Sequence, residues 1–573
     1  MVLTDRQNEA LAAVSAFLKS DDRVFILTGY AGTGKTTLLR PIIDSAEKAG
    51  YDVRLMAPTG RAAKVLSEKT SREASTIHRA IYKLSLLEIP DDDDIRAGRV
   101  DEMELRFHFP LNFPERDTRM LCIVDEASMV SSRYSQHELY RFGSGVLLDD
   151  LLSFAFCFPS GKIIFTGDPA QLPPVGDNAS CALSREYFME RNIGCSVCRL
   201  TEVLRQDADS AILVNAMRLR DLLDSKRRNS LSLDERAGEF ENITPGDLVS
   251  SYCADFNRRK NAAVVVTYTN SSAQAYNTII RRSLYGIGAP ELVPGERLIV
   301  VQNNYSIPLR DMMNGDMAEL LEVCSEPETR RIKVKRKTEA GVEEETVVLV
   351  FRDVELVFDD GIKVKCKILE SLLDADEPNL SVNQVKAMFI DFCIRHKELR
   401  RGSKEFRETL LADPYYNALK VKYGYAITCH KAQGGEWEHV YVDFDRRQGL
   451  SDENLRWDYT AVTRARSCIF AVSPPKTDCF TKLEVGRVVC VKSLPSEAVP
   501  ASLRLEPEEI VARRCSMIEA ALSGTPHSVV KIVSGSYRKS LYVRSGGSEM
   551  RFDATYNGRG VFSPFGLISS TPA

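Results

Sequence analysis

No apolar run in the 573 residues approaches the roughly 20 needed to cross a bilayer, which excludes a helix-anchored membrane protein. The opening MVLTDRQNEA is polar and lacks the basic-then-apolar layout of a secretory leader. The chain is therefore expected in the cytoplasm, or beside the nucleoid if its host is bacterial. There is no internal repeat and no long low-complexity stretch, so repeat arrays and tethered disordered chains are set aside. A net positive charge is also missing: 76 Lys and Arg against 80 Asp and Glu leave −4. No global basic field marks the chain as a binder of nucleic acid. Such a partner is not excluded, because a protein that moves along a strand cannot cling through a large counterion-release effect, and local patches decide the matter. The 14 cysteines are scattered, and Cys122, Cys468 and Cys490 sit in apolar runs. In a reducing compartment they read as small buried hydrophobes rather than disulfides. Cys195 and Cys198 form one CxxC without a second pair or nearby histidines, so the four ligands of a structural zinc are not in view.

What is present is size and alternation. A chain of this length usually divides into about three or four domains. RVFILT (23–28), DVRLMA (52–57), RMLCIVDE (119–126) and KIIFTG (162–167) are short apolar runs rich in Val, Ile and Leu, with helical patterns between the early ones. That alternation predicts a buried parallel sheet. A second set begins at AAVVVTYTN (262–270), resumes at EHVYVDF (438–444) and closes with SCIFAV (467–472). Between its parts, roughly 290–415, lie short alternating strands punctuated by Gly and Pro and then a polar helical stretch. This texture predicts a small barrel-like β insertion. A polar, acidic insertion spans roughly 86–117, with Asp91 to Asp94 in a row, and a separate tail starts after about 490.

The segment Gly29-Tyr-Ala-Gly-Thr-Gly-Lys-Thr fits G-x-x-x-x-G-K-T in full, after a predicted strand and at the start of a predicted helix. Glycines let successive backbone N–H groups face a phosphate without side-chain collision. The helix start adds partial positive charge. Lys35 is placed to neutralise the outer phosphates and Thr36 to ligate Mg²⁺, with Gly29, Ala31, Gly32, Thr33, Gly34, Lys35, Thr36 and Thr37 as the cradle. Asp125 and Glu126 end the apolar strand LCIVDE, where the first can hold Mg²⁺ and the second can polarise an attacking water. Together these residues predict hydrolysis of a nucleoside triphosphate, ATP with Mg²⁺. They do not say what the energy does.

Further blocks follow in order. TGDPAQLPPVG (166–176), preceded by VDEAS (124–128), resembles the signature of superfamily 1 helicases, in particular the RecD/Dda group, which usually moves 5′ to 3′. LTDRQNEAL (3–11), APTGRAAKVL (57–66), STIHRAI (75–81), LTEVLRQ (200–206), VTYTN (266–270), YAITCHKAQGGEW (425–437) and YTAVTRAR (459–466) are similar to the remaining blocks, over about 1–475. The resemblance implies two RecA-like domains with parallel sheets. The first spans 1–208, with a pin-like hairpin inserted at 86–117; the second spans 209–290 plus 416–490. It also implies an SH3-like β insertion at 291–415, and 491–573 forms a small C-terminal extension. It further implies that Gln7 reads adenine, that Glu436 meets the ribose and that Gln171 reports the γ-phosphate. Arg205 and Arg464 would reach that phosphate from opposite sides of the cleft. A planar guanidinium so placed is typically worth ~10³–10⁵ in rate. Pro58, Thr59, Gly60, Arg61, Thr76 and His78 would meet a single strand in the first domain. Asn270, Thr428, His430, Lys431 and Gln433 would do so in the second. Most such contacts go to the backbone and carry no sequence code.

The activity implied is ATP-driven translocation on single-stranded DNA with unwinding of duplexes and forks, in repair, recombination or replication. The chain would act as a monomer with single-stranded-DNA-binding or repair proteins as further partners. An RNA helicase and a nucleotide-gated binding module without turnover stand as alternatives. Three weaker features stay open. Phe107, Phe109 and Phe113 would either stack at a fork or pack a short hairpin. RIKVKRK (331–337) is either a grip on DNA or a solvated strand face. The tail, with six Lys or Arg and four aromatics over 529–560, is either a strand binder or a generic β-domain.

Overall fold

The computed structural model describes residues 3–83, 107–113, 119–135, 140–158, 160–202, 210–225, 228–289, 292–307, 309–338, 341–375, 377–401, 403–444, 449–477, 507–557 and 562–572. The chain divides into two compact units, 1–481 and 482–573.

In the larger unit the early apolar runs pair into one six-stranded sheet. The spatial order is Ala74–Thr76, Asp52–Ala57, Met120–Val124, Lys162–Gly167, Val24–Gly29 and Cys195–Leu200, every pair parallel. Val24–Gly29, Met120–Val124 and Lys162–Gly167 are buried at every residue, as a sheet covered on both faces requires. Phe17, Leu38, Ile42 and Leu66 cover one face, and Ile77, Leu151, Phe154 and Phe188 cover the other. Cys195 packs into the second of these clusters, while Cys198 rests against the first. The CxxC therefore points to opposite faces of one strand and cannot close on a single ion.

A second parallel sheet has the order Phe240–Ile243, Ala465–Val472, Trp437–Asp443, Ala263–Thr267 and Ala426–Thr428. Between its strands the chain builds an antiparallel sheet from Arg297–Val300, Met317–Val323, Glu328–Thr338, Gly341–Phe358 and Lys363–Leu369. Val421–Tyr423 joins that sheet beside Arg297–Val300, so the inserted sheet uses residues beyond 415. Helices Val382–Arg395 and Lys404–Ala412 form a small core of their own through Phe389, Phe392 and Phe406. Ile332 and Val334 are buried while Arg331 and Lys333 are exposed, and Lys333 pairs with Glu344 at 2.9 Å. The described part of the basic run is thus an ordinary two-faced strand.

Much of the 86–117 insertion lies outside the described residues. Phe107–Phe109 pairs in parallel with Tyr140–Phe142, and the Phe109 ring stacks on Phe142 at 4.8 Å and 14°. Phe113 is half exposed. In the smaller unit, helix Pro507–Leu522 precedes a four-stranded antiparallel meander. Its basic residues are largely engaged within the sheet: Arg551 pairs with Asp553 at 2.8 Å, Arg544 with Glu549 at 3.6 Å, and Lys531 lies over Tyr542 at 4.3 Å.

The inserted sheet is fastened to the first parallel sheet's helices by its segment 303–316. The Tyr305 hydroxyl lies 3.4 Å from that of Thr76, Arg79 pairs with Asp311, and Met313 packs on Gly60. A methyl group on Gly60 would overlap the Met313 side chain and sit 3.2 Å from its Cα. Gly60→Ala is therefore expected to cost about 1–3 kcal/mol in urea unfolding of the full chain, because packed interiors resist added volume. Pairing it with Met313→Gly should make the two losses clearly less than additive.

Candidate nucleotide site and strand interface

The phosphate loop, the Asp125–Glu126 pair and Asp168 fall where strands of the first sheet end. Gly29 closes one strand, Asp125 follows another and Asp168 a third. In open parallel sheets this carboxyl edge is where ligands sit. Gly32 and Gly34 take φ of 81° and 77°, a left-handed backbone that favours glycine and turns the loop's N–H groups inward. Gly34 caps helix Lys35–Lys48 without any side chain of its own. The Lys35 ammonium donates to the carbonyls of Gly29 at 2.6 Å and Tyr30 at 3.0 Å, so it is held over the loop's mouth by neutral acceptors that a phosphate outcompetes. Thr37 is the helix's third residue.

The Thr36 hydroxyl donates to Asp125 Oδ2 at 3.1 Å, and the Glu126 N–H donates to Asp125 Oδ1 at 3.0 Å. Glu126 stands at φ 52°, and its buried Oε2 has no hydrogen-bond partner among the described residues. A non-glycine residue in that conformation costs on the order of 1–2 kcal/mol, typical of strain kept at a working position. Burial pushes both carboxyls above their ordinary range. For Asp125 the hydrogen bond from Glu126 and the charge of Lys35 oppose it; for Glu126 the charge of Asp125 adds to it, while Lys35 and Arg464 oppose it. A hydroxyl and one carboxylate, beside an unpartnered carboxylate oxygen, suit Mg²⁺, which takes few protein ligands and keeps water and phosphate oxygens. Gln7 joins Thr4 in a reciprocal cap at the start of helix Asp5–Lys19, and its buried amide nitrogen has no partner among the described residues. The side-chain oxygen of Gln171 is likewise buried and unpartnered among them.

The second sheet's edge meets the first at this point. Gln433 donates to the carbonyl of Leu172 at 2.9 Å, Leu172 donates to the Thr460 hydroxyl at 3.0 Å, and Arg456 donates to the carbonyl of Pro169. Gln433, expected on the strand, instead holds the neighbour of Gln171. Arg464 is 4% exposed and donates to the carbonyls of Thr460 at 2.9 Å and Gly435 at 3.0 Å, close enough for its charge to act on Glu126. Arg61, also expected on the strand, lies over the Trp437 ring at 4.2 Å between the two sheets, where burial brings its pKa down to about 10. Glu436 pairs with Arg466 at 3.2 Å. Arg205 lies outside the described residues.

The remaining strand residues divide in two. Pro58, Thr59 and His78 line a cleft of about 1250 Å³ beside the inserted sheet, together with Arg79, Phe142, Tyr305 and Lys420. Asn270, Thr428 and Lys431 line a small pocket of about 30 Å³ with Lys422. Gly60 is taken up by its contact with Met313. Thr59, Thr76 and Thr428 each cap a helix by accepting an N–H, which leaves the hydroxyl proton of each free to point elsewhere. His78 packs edge-on to Phe142 at 5.1 Å, and burial lowers its pKa to about 4, so it is a neutral donor rather than a cation. Burial lowers His430 as well, and brings Lys431 down to about 8 with help from Lys422. Sequence reasoning passed over Lys420. It is buried, its ammonium donates only to the Tyr416 carbonyl at 2.9 Å among the described residues, and burial brings its pKa to about 7. The signal was there: LKVKY sets two lysines at alternate positions of an otherwise apolar strand.

Two family models match the chain. One, described as an AAA domain, covers residues 2–232, and the other, a UvrD-like helicase C-terminal domain, covers 423–472. The ATP-dependent DNA helicase Dda of enterobacteria phage T4 is 26% identical over 495 residues, 82% of this chain and 99% of Dda. The ATP-dependent RecD2 DNA helicase of Deinococcus radiodurans is 31% identical over 191 residues, 33% of this chain and 21% of that protein. The ATP-dependent DNA helicase Pif1 of a Psychrobacter species is 22% identical over 481 residues, 78% of this chain and 65% of Pif1. The first family match runs through the whole first parallel sheet, and the second spans the segment that carries Thr428, Gln433 and Arg464. Over these matches the chain is similar to the RecD/Dda-like helicases of superfamily 1.

Proposed function

We propose that this protein is an ATP-dependent DNA helicase that translocates 5′ to 3′ on single-stranded DNA and unwinds the duplex ahead of it. It would act as a monomer inside the cell, in repair, recombination or replication, at forks and alongside strand-binding or repair proteins. The observation that carries this reading is the split site. Phosphate donors and carboxylates stand on one parallel sheet, Arg464 and Gln433 on the other, and they meet at Glu126 and the Gln171–Leu172 turn. Two motor domains, 1–208 and 209–290 plus 416–490, would close and open on each turnover, which is the two-state element a stepping motor needs. The insertion at 291–415 and the extension at 491–573 would serve as accessory modules.

In this reading the loop from Gly29 to Thr37 binds the phosphates and Lys35 leaves its carbonyls for the outer ones. Gln7 donates its free amide N–H to adenine, and Glu436 takes the ribose. Thr36 and Asp125 would hold Mg²⁺, which when bound supplies a Lewis acid that neutralises charge on the β- and γ-oxygens. Glu126, its carboxylate raised by burial and with a free oxygen, accepts the proton of the attacking water. Arg464 and Arg205 stabilise the transferring group, and Gln171 reports it to Gln433. Pro58, Thr59, Thr76 and His78 grip the strand in one domain, and Asn270, Thr428, His430 and Lys431 in the other. Lys420 adds a phosphate contact at the cleft.

Duplexes with a 5′ or a 3′ single-stranded tail test this. Unwinding should need ATP and the 5′ tail, and should vanish in Lys35→Ala and Glu126→Gln. Preference for the 3′ tail overturns the polarity; turnover without unwinding of either overturns the helicase reading. Lys420 gives a pH test. It is charged below about pH 7 and neutral above, so its share of the strand affinity should fall as pH rises from about 6 toward 8. The folded state binds fewer protons than the unfolded state between about 7 and the ordinary lysine value, so Lys420's effect on stability runs the other way and rises with pH. Lys420→Arg should flatten the affinity profile, measured by fluorescence anisotropy with a labelled oligonucleotide.

A further inference from the structure

Helix Asp452–Val462 belongs to the second motor domain, yet its Tyr459 works in the first. The side chain is 2% exposed. Its hydroxyl donates to Asp168 Oδ2 at 2.7 Å and accepts the backbone N–H of Ala31, within the phosphate loop, at 3.1 Å. Asp168 is fully buried, takes the Ala170 N–H on its other oxygen at 2.9 Å, and its charge adds to the upward pressure on Glu126. Burial, then the charge of Asp168, holds the phenol far above its ordinary pKa, so it is a neutral donor at any working pH.

The backbone N–H groups of such a loop are what phosphate oxygens bind. One of them is here given to a phenol from another domain. A phosphate oxygen is the stronger acceptor, since hydrogen bonds to charged groups are about twice as strong as neutral ones. Nucleotide in the loop would therefore compete for the Ala31 N–H. The same helix reaches the strand side: the Cys429 thiol donates to the carbonyl of Trp457 at 3.7 Å, and Cys429 opens the short helix that carries His430 and Lys431. Thr460, next along the helix, holds Leu172 beside Gln171.

We infer that Tyr459 is the positioning residue through which occupancy of the phosphate loop is passed to the strand-binding face of the second domain. In this structure its hydroxyl is held from both sides, by Ala31 and by Asp168. When a phosphate oxygen takes the Ala31 N–H, only the Asp168 bond remains, and the helix is free to move with the Asp168–Leu172 turn. The inference rests on the helicase reading above and adds a coupling residue to it. No covalent bond is made or broken in this step, and the phenol keeps its proton throughout.

The test is Tyr459→Phe in the full-length protein, which removes one oxygen and keeps the ring. Affinity for a fluorescent oligothymidylate is measured without nucleotide, with ADP and with a non-hydrolysable ATP analogue. In the wild type the three affinities should differ. In Tyr459→Phe they should converge by about tenfold, the worth of a hydrogen bond to a charged group, while the ATP analogue itself binds no more weakly because the Ala31 N–H is freed. The kcat of strand-stimulated turnover should fall with little rise in KM for ATP. Asp452→Asn, an exposed change at the start of the same helix that leaves the loop contact and the Leu172 contact alone, should keep the three affinities apart. The inference is overturned if Tyr459→Phe keeps the wild-type spread, or if Asp452→Asn collapses it equally. A wild type that unwinds duplexes but shows no spread overturns the inference and leaves the helicase reading standing, whereas turnover without unwinding overturns that reading itself.

Discussion

The polyanion that the phosphate loop must hold is the constraint on which the rest of this structure turns. Several negative charges have to be taken out of water, and an isolated buried charge is prohibitive unless fixed donors replace its hydration. The first sheet answers with backbone N–H groups turned inward by Gly32 and Gly34, a helix start, and Lys35 parked on two carbonyls. The same burial raises Asp125 and Glu126, whose ordinary ionised forms would repel the ligand. A cation and a charged ligand are thus expected together, each relieving the other's cost.

The first sheet cannot finish the job alone. Arg464, whose charge acts on Glu126, stands just ahead of a strand of the second sheet and donates to the carbonyls of Thr460 and Gly435. Around it the two sheets are joined by polar contacts at Leu172, Pro169, Asp168 and Ala31, and by Arg61 on Trp437. Polar contacts of this kind are individually worth about 1 kcal/mol, which suits a joint that must form and release. The inserted sheet, by contrast, is fastened by close packing at Gly60 and Met313.

How much of this could be read from the chain depends on distance along it. The phosphate loop, the strand ending in Asp125-Glu126 and both parallel sheets were legible because period, glycine spacing and adjacent carboxylates are local. Thr59, Thr76 and Thr428 also carry a local signal, a threonine ahead of a helix, although their capping role was overlooked in favour of the strand. The resemblance puts Arg61 and Gln433 on the strand, while the structure sets them between the two parallel sheets. Nothing near Gln433 in sequence announces Leu172, which lies 261 residues away. Ala31 and Tyr459 are 428 residues apart, and Gly60 meets Met313 of the segment that precedes a strand of the inserted sheet. Such pairings follow from the tertiary arrangement, and no periodicity encodes them. Lys420 was missed for another reason: a lysine in an apolar strand reads as an edge residue until burial is known.

The central claim is that nucleotide closes one motor domain on the other. Donor and acceptor fluorophores, one on helix Lys35–Lys48 and one on helix Asn270–Tyr285, would report the distance between them. The account predicts a shorter distance with a non-hydrolysable ATP analogue than with ADP, and a larger change when single-stranded DNA is present. An unchanged distance in all states, in protein that still hydrolyses ATP, would contradict it.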